Sequence, residues 1–533
     1  MTDGSSIRQA GRSLAIATLA SRVAGFVRIL VLAAALGLGT RLLDTYNIAN
    51  TLPNQVYELI VGGTMASIVV PLLTRATLSE PDGGVLYAQR LLSLIIYVLS
   101  AVTLLAVAGA PLLIDLYAPG FTAEQRDLAT VFSRYFLPQI LFYGISATAA
   151  AILQIRGRFG TPAWAPLANS LIVIAVGLTY AAVGGSTSTT LETGHLLLLS
   201  LGTTAGVLAQ MALIVAALRR TGFPLRLRLD PRGIGIRRIG RLGAWVLLAV
   251  VTSQILFAAA TRAASWGGPG GITAYQNANM IFYVPYAVFA VSIMTAMLPR
   301  LSQHAARGEH NRVVTGLSRA VRTALVVTAP IATAFLLLGP QIATVLFAHG
   351  NSSTATVRVL GLVLAAFGLT LVPFTSYMIL QRGLYALQET RTAALITVAV
   401  AAVGVTGCAA AGSLLEPEDI VLGIPVAYAA AYTTGLSLTA VVLRRRLGYI
   451  DGRRLLRTHA RVLTAAVAGA VCAGLALWAA RSATDLSAWT DALVTGLIAT
   501  LAGAAGYLAA GRLLRLAELR HLLNAALPGI RTW

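Results

Sequence analysis

Lysine is missing altogether: every one of the forty basic side chains in this 533-residue chain is arginine. Cysteine is nearly missing, with only Cys408 and Cys472, both inside apolar runs and far from the spacing of zinc or redox motifs. That rules out a disulfide framework and offers no metal site. Charge is scarce, 11% of residues against roughly 25% in soluble domains. With 57% hydrophobic residues and a mean hydropathy of +0.78, water is not the chain's main solvent. Enzyme signatures are lacking too: there is no HExxH, Walker A, GxSxG or nucleotide fingerprint. His195, His304, His310, His349, His459 and His521 are dispersed without ligand spacing. Neither catalysis, a metal nor a cofactor is expected. The net charge of +21 raises nucleic acid as a partner, but the arginines are scattered through short loops rather than gathered on a patch, so none is expected.

What is there is apolar length. Stretches of eighteen or more residues recur near 11–37, 46–73, 89–114, 130–155, 162–184, 194–218, 239–264, 273–298, 315–338, 357–381, 390–413, 420–443, 459–480 and 490–510. Each can cross about 30 Å of hydrocarbon at about 1.5 Å per residue. The runs are continuous rather than alternating, and lipid offers no partner for backbone groups, so the spans are helices and not barrel strands. The first run keeps Arg22 and Arg28 and has no small-residue cleavage site, which marks it as a retained span rather than a signal peptide. The fold class expected is an all-α polytopic membrane protein with about fourteen transmembrane helices.

Arginine placement sets the orientation. Connections carrying Arg156 and Arg158, the stretch 219–241, Arg300 to Arg312, Arg382 and Arg391, and Arg444 to Arg457 alternate with arginine-poor loops at 184–195, 265–271 and 414–420. The positive-inside rule then puts both termini in the cytoplasm. ANTLPNQVYELIVGGTMASIVVPLLTRA (49–76) can be laid beside ANMIFYVPYAVFAVSIMTAMLPRLSQHA (278–305), which suggests two pseudo-symmetric six-helix halves, with substrates expected at the interface of such repeats. The expected organisation is an N-terminal half (1–218), a basic cytoplasmic linker (219–238), a second half (239–446), two extra helices (447–515) and a cytoplasmic tail (516–533).

Charges inside the bilayer are the informative ones, since a central Arg costs about 2.5–3.5 kcal/mol on insertion scales. In SRVAGFVR (21–28), Arg22 and Arg28 straddle the middle of span 1, with Gly25 between them as a bend point. They build an anion-binding cavity, or they snorkel or pair with Asp44 or Glu58. Asp44 is read as a gate or an interfacial cap, and Glu58 as a counter-ion or a proton carrier. Arg262, near the outer end of span 7, adds cavity charge or snorkels. Pro53, Gly62, Gly63, Pro138, Pro285, Pro330 and Pro373 mark kinks or close helix contacts.

Three collinear segments carry a family resemblance: SRVAGFVRILVLAAALGLGTRLLDTYNIANTLPN (21–54), LPQILFYGISATAAAILQIRGRFGTPAWAPLANSLIVIA (137–175) and RGLYALQETRT (382–392). They resemble the MurJ/MviN family of lipid II flippases, within the multidrug/oligosaccharidyl-lipid/polysaccharide exporter superfamily. The wording QNANMIFYVPY (276–286) is similar to that of actinobacterial members. The resemblance implies that Arg22, Arg28 and Asp44 contact substrate and that spans 13 and 14 form a groove for a lipid tail. It implies a polyprenyl-diphosphate-linked substrate (lipid II), membrane lipids and cell-wall synthesis proteins as partners, and a place in the bacterial cytoplasmic membrane. The chain departs from the family where paired basic residues follow LPN, having Tyr57 and Glu58, and where the eighth helix carries Asp-Arg, having Asn279 and Met280. Tyr57, Glu58, Arg262 and Asn279 are therefore further cavity candidates. Competing expectations are an exporter of other lipid-linked oligosaccharides or drugs, and a non-transporting scaffold for wall synthesis.

Overall fold

A computed structural model describes residues 4–59, 70–228, 236–481 and 488–526. Among them every regular element is helical. The order is α1 (Gly4–Leu36), α2 (Arg41–Tyr57), α3 (Val70–Ser79), α4 (Val85–Ala108), α5 (Ala110–Tyr117), α6 (Ala123–Phe136), α7 (Gln139–Ile155), α8 (Gly160–Ala182), α9 (Thr193–Arg220) and α10 (Ile236–Ala264). It continues with α11 (Gly271–Pro285), a π turn (Tyr286–Ala290), α12 (Val291–Ala306), α13 (His310–Phe347), α14 (Thr354–Ala386), α15 (Thr390–Leu414), α16 (Pro417–Leu447), α17 (Gly452–Arg481), α18 (Ala488–Leu513) and α19 (Ala517–Ala526).

Thirteen helical stretches among the described residues are long and apolar enough to cross a membrane. The chain is a multi-pass membrane protein. The fourteenth expected span, 46–73, runs through residues 60–69, outside the described residues, as do Gly62 and Gly63. Several expected spans are broken where the sequence provides a reason. Pro138 separates α6 from α7, because its ring cannot continue the preceding helix. After Pro285 the backbone widens into π geometry, and π geometry also begins at Glu58. Tyr57 and Tyr286 fall opposite each other when Ala49 is aligned with Ala278, so π geometry occurs at matching places in the two aligned segments. Pro330 and Pro373, by contrast, sit inside continuous helices.

The chain divides into two compact units, one of Met1–Gln254 with Gly350–Ser352, the other of Ile255–His349 with Ser353–Trp533. In the first unit α1 packs along α8, α8 along α9, and α2 against α6 and α7. The α1–α8 crossing is close because Gly177 has no Cβ, which would meet Val31 Cγ1 at 2.9 Å. The Ser21 hydroxyl donates to the Ala163 carbonyl at 3.1 Å across the same seam. The C-terminus of α1 is capped from a distant part of the sequence: Asn351 donates its backbone N–H to Ala34 O at 3.1 Å and its amide to Ala35 O at 3.3 Å. Residues 221–228 of the basic stretch lie on α4. There Gln89 Nε2 donates to Pro224 O at 2.5 Å, and Arg228 donates to Ser93 Oγ at 2.8 Å and to Gln89 Oε1 at 2.9 Å.

The second unit is centred on α14, which packs against α11, α13 and α16. An aromatic column fills it. Phe282 stacks on Phe367 at 4.9 Å, Tyr428 stacks on Tyr432 at 5.8 Å, and the Tyr275 and Tyr428 hydroxyls share a hydrogen bond of 2.9 Å. Helices α17 and α18 pair with each other and against α13, at a crossing where a Cβ on Gly469 would stand 2.8 Å from Gly503 O. Small residues let membrane helices approach so closely. Outside the spans, Glu309 closes the α12–α13 turn, meeting His304 Nδ1 at 2.5 Å and Arg312 Nη1 at 3.1 Å. The His304 bond, with the charge of Arg312, holds its carboxyl below the usual carboxylate range.

Candidate functional site

Helix α2 is positioned at its start by Thr40, whose hydroxyl accepts from Leu43 N at 3.1 Å. Further along, Tyr46 is fully buried, edge-on to Phe132 and Phe136, and its hydroxyl meets Thr203 Oγ1 at 2.7 Å. That bond ties α2 to α9 and fixes the spacing of a cavity of about 350 Å³ lined by Arg28, Asn50, Thr51, Asn54, Tyr143, Asn169, Val173, Thr203 and Val207. Asn50 and Asn54 lie one turn apart and so share a face of α2.

The lining is polar, an unusual choice inside apolar helices. Arg28 lies about 3 Å past the middle of the apolar stretch Ile16–Leu36, and no acidic side chain among the described residues pairs with it. The ion-pair alternative, in which Asp44 or Glu58 neutralises Arg28, is not seen. Asn169 Nδ2 donates to Gln210 Oε1 at 3.4 Å, but its buried Oδ1 has no protein partner. The carbonyl is brought close to α9 by Gly206, where a Cβ would stand 2.5 Å from it. One guanidinium, three amides and three hydroxyls therefore converge on a small space. Such a set has the chemistry to hold an anion through Arg28 and to offer neutral donors and acceptors to whatever is attached.

The other sequence candidates are placed elsewhere. Arg22 is exposed on α1 and does not line the cavity, since six residues of helix turn it well away from Arg28's face. Asp44 is buried, 1% exposed, in the first turn of α2, where a carboxylate suits the helix dipole. Tyr57 meets the cavity wall indirectly, its ring 5.8 Å from that of Tyr143. Glu58 is partly buried beside it. Arg262, exposed, and Asn279, half-buried, belong to the second unit. Asn50, Thr51, Asn54, Tyr143, Asn169 and Thr203 were not singled out by the sequence, although the Asn50–Asn54 spacing was a visible signal. In the second unit, α13, α17 and α18 enclose an apolar cleft of about 220 Å³ lined by residues such as Pro330, Ala466, Ala473, Ala499 and Tyr507.

A family model for the lipid II flippase MurJ matches residues 32–490. The chain belongs to the MurJ lipid II flippase family. A probable lipid II flippase MurJ of Rhizobium meliloti (strain 1021) is 30% identical over 386 residues, 70% of each chain. Another MurJ, from Rhizobium tropici, is 28% identical over 500 residues, 93% of this chain and 92% of the relative. These relatives do not bear out the actinobacterial likeness of QNANMIFYVPY. Among solved structures, a lipid II flippase MurJ in an inward closed conformation matches with a TM-score of 0.76 at 20% identity, covering 94% of this chain and 99% of that one. An inward-facing multidrug resistance MATE transporter of the MOP superfamily matches with 0.68 at 14% identity, covering 81% and 94%. Both likenesses concern the fold, and the MurJ match spans nearly the whole chain.

Proposed function

We propose that this chain moves lipid II from the inner to the outer leaflet of the bacterial cytoplasmic membrane, with both termini in the cytoplasm, by alternating access of its two halves. The observation that carries the reading is Arg28, a guanidinium near mid-membrane with no acidic partner among the described residues, facing a polar cavity. The diphosphate of a polyprenyl carrier is the anion that suits it, since a planar guanidinium can meet two phosphate oxygens at once. At about 350 Å³ the cavity is near the lower end of ligand pockets, roughly 300–1,000 Å³. It suits the diphosphate and an adjoining sugar, not the whole saccharide and peptide. Arg22 and Asp44 would act outside this cavity, along the path of the head group. The tail stays apolar throughout, and the cleft of α13, α17 and α18 is the surface offered to it. With the cell interior negative, outward movement of the anionic head gains about 2.3 kcal/mol per charge per 100 mV, so no nucleotide is needed.

The test is lipid II translocation in spheroplasts expressing each variant at matched membrane abundance. Arg28→Ala removes the charge and its donors and is expected to abolish translocation. Arg28→Lys keeps the charge without the fork and should retain part of it. Full activity in Arg28→Ala, or its rescue by Glu58→Gln in the same chain, would make Arg28 a structural charge. A second reading, export of a different polyprenyl-diphosphate-linked saccharide, is favoured by Tyr57–Glu58 and Asn279–Met280 in place of charged family pairs. Depleting the protein and finding a precursor other than lipid II on the inner leaflet would select it.

A further inference from the structure

Arg382 stands on α14 four residues before its end at Ala386, and no acidic side chain among the described residues pairs with it. Glu389, the nearest carboxylate in sequence, is engaged by Arg446 Nη2 at 2.8 Å and by the Thr392 hydroxyl at 2.9 Å. The surroundings of Arg382 are aromatic instead. Its guanidinium lies 5.6 Å from the centroid of the Tyr385 ring, and the Tyr286 hydroxyl is in its neighbourhood. Tyr286 in turn packs on Phe374, with centroids 4.7 Å apart, and opens the π turn Tyr286–Ala290. Such local widenings of a helix are frequent at functional sites. Two rings thus hold a half-buried cation in place without neutralising it. A guanidinium has five N–H donors, and most of these stay available.

Depth says what the available donors meet. Helix α14 runs for 33 residues, about 50 Å at 1.5 Å per residue, which exceeds the roughly 30 Å hydrocarbon core. With the helix centred on that core, a residue four from its end falls at the level of lipid head groups, where phosphate oxygens are the abundant acceptors. We propose that Arg382, Tyr286 and Tyr385 form a lipid-phosphate site in the second unit, with the guanidinium meeting phosphate oxygens and the Tyr286 hydroxyl supplying a further donor. The shared ligand chemistry is a phosphate ester at the end of an apolar tail, whether a polyprenyl diphosphate or a bulk anionic phospholipid. The site is built from second-unit residues alone and does not depend on what the Arg28 cavity carries.

The experiment uses the purified full chain with Arg28→Ala as background, and native mass spectrometry to follow binding of undecaprenyl diphosphate and of phosphatidylglycerol. Because the readout is binding with Arg28 already removed, failure of the translocation reading leaves it unaffected. Adding Arg382→Ala is expected to weaken retention of at least one of the two lipids about tenfold, as loss of a charge-assisted fork implies. Arg382→Lys should recover part of the loss, and Tyr286→Phe should weaken binding severalfold with the ring kept. Displacement of undecaprenyl diphosphate by an equal concentration of phosphatidylglycerol assigns the site to bulk lipid; resistance to excess phosphatidylglycerol assigns it to the polyprenyl carrier. Unchanged retention of both lipids in Arg382→Ala, or in Arg382→Gln should the Ala variant not fold, overturns the site.

Discussion

Arg28 was legible in the sequence because a charge in an apolar run is expensive and stands out. The residues around it were not, for the same reason in reverse. Asn, Thr and Tyr are cheap enough in membrane helices to occur for packing alone, so nothing in the sequence separates Asn50, Asn169 or Thr203 from dozens of similar residues until the fold brings them to one cavity. Asn169 offers the sharper test, since its buried Oδ1 lacks a protein partner and awaits a donor from a ligand or water. Gly206→Ala places a methyl 2.5 Å from that oxygen and must push the amide aside. Translocation is expected to fall severalfold in Gly206→Ala at equal membrane abundance. Gly194→Ala, on the same helix with open space around the site of its Cβ, should leave it unchanged. Equal activity of the two variants would remove Asn169 from the site.

At the scale of elements, hydropathy located the spans but not what happens at their ends. The break at Pro138 followed from proline chemistry, whereas the π turn after Pro285 and the docking of α19 depend on contacts far away in sequence. Residues 516–533 read as a tail, yet Leu519 of α19 and Leu516 just before it close a cluster with Leu325, Val326, Val462 and Tyr507. The Tyr507 hydroxyl donates to Val326 O at 2.8 Å, Ser318 Oγ donates to Asp451 at 2.9 Å, and Arg322 on α13 is ion-paired with Glu518 on α19. The pair is nearly buried, with side chains 8% and 12% exposed, so removing one partner leaves a charge without compensation. Glu518→Gln is expected to cost about 3 kcal/mol, seen as a lower thermal unfolding midpoint in detergent. Replacing both, Arg322→Met with Glu518→Leu, should return most of the loss, because a packed apolar pair needs no partner charge. An unchanged midpoint in Glu518→Gln would mean that the pair holds nothing.

For the whole molecule, the decisive sequence signal was the distribution of arginine between loops, and it bears on orientation rather than on fold. The helices supply turns to test it on both sides. Ser188 lies exposed in the arginine-poor loop between α8 and α9, and Ser353 is exposed at the start of α14; the positive-inside rule puts both outside. Asn311 is exposed in the first turn of α13, next to Arg307 and Arg312, and the same rule puts it inside. With Cys408 and Cys472 replaced, single cysteines at Ser188 and Ser353 should react with an impermeant thiol reagent in intact cells, and one at Asn311 only after permeabilisation. Since α13 is one continuous helix from His310 to Phe347, Asn311 and Ser353 mark its opposite ends. Labelling of both from the same side would therefore deny that α13 spans the membrane, and a reversed pattern would invert the chain, placing the Arg382 end of α14 outside.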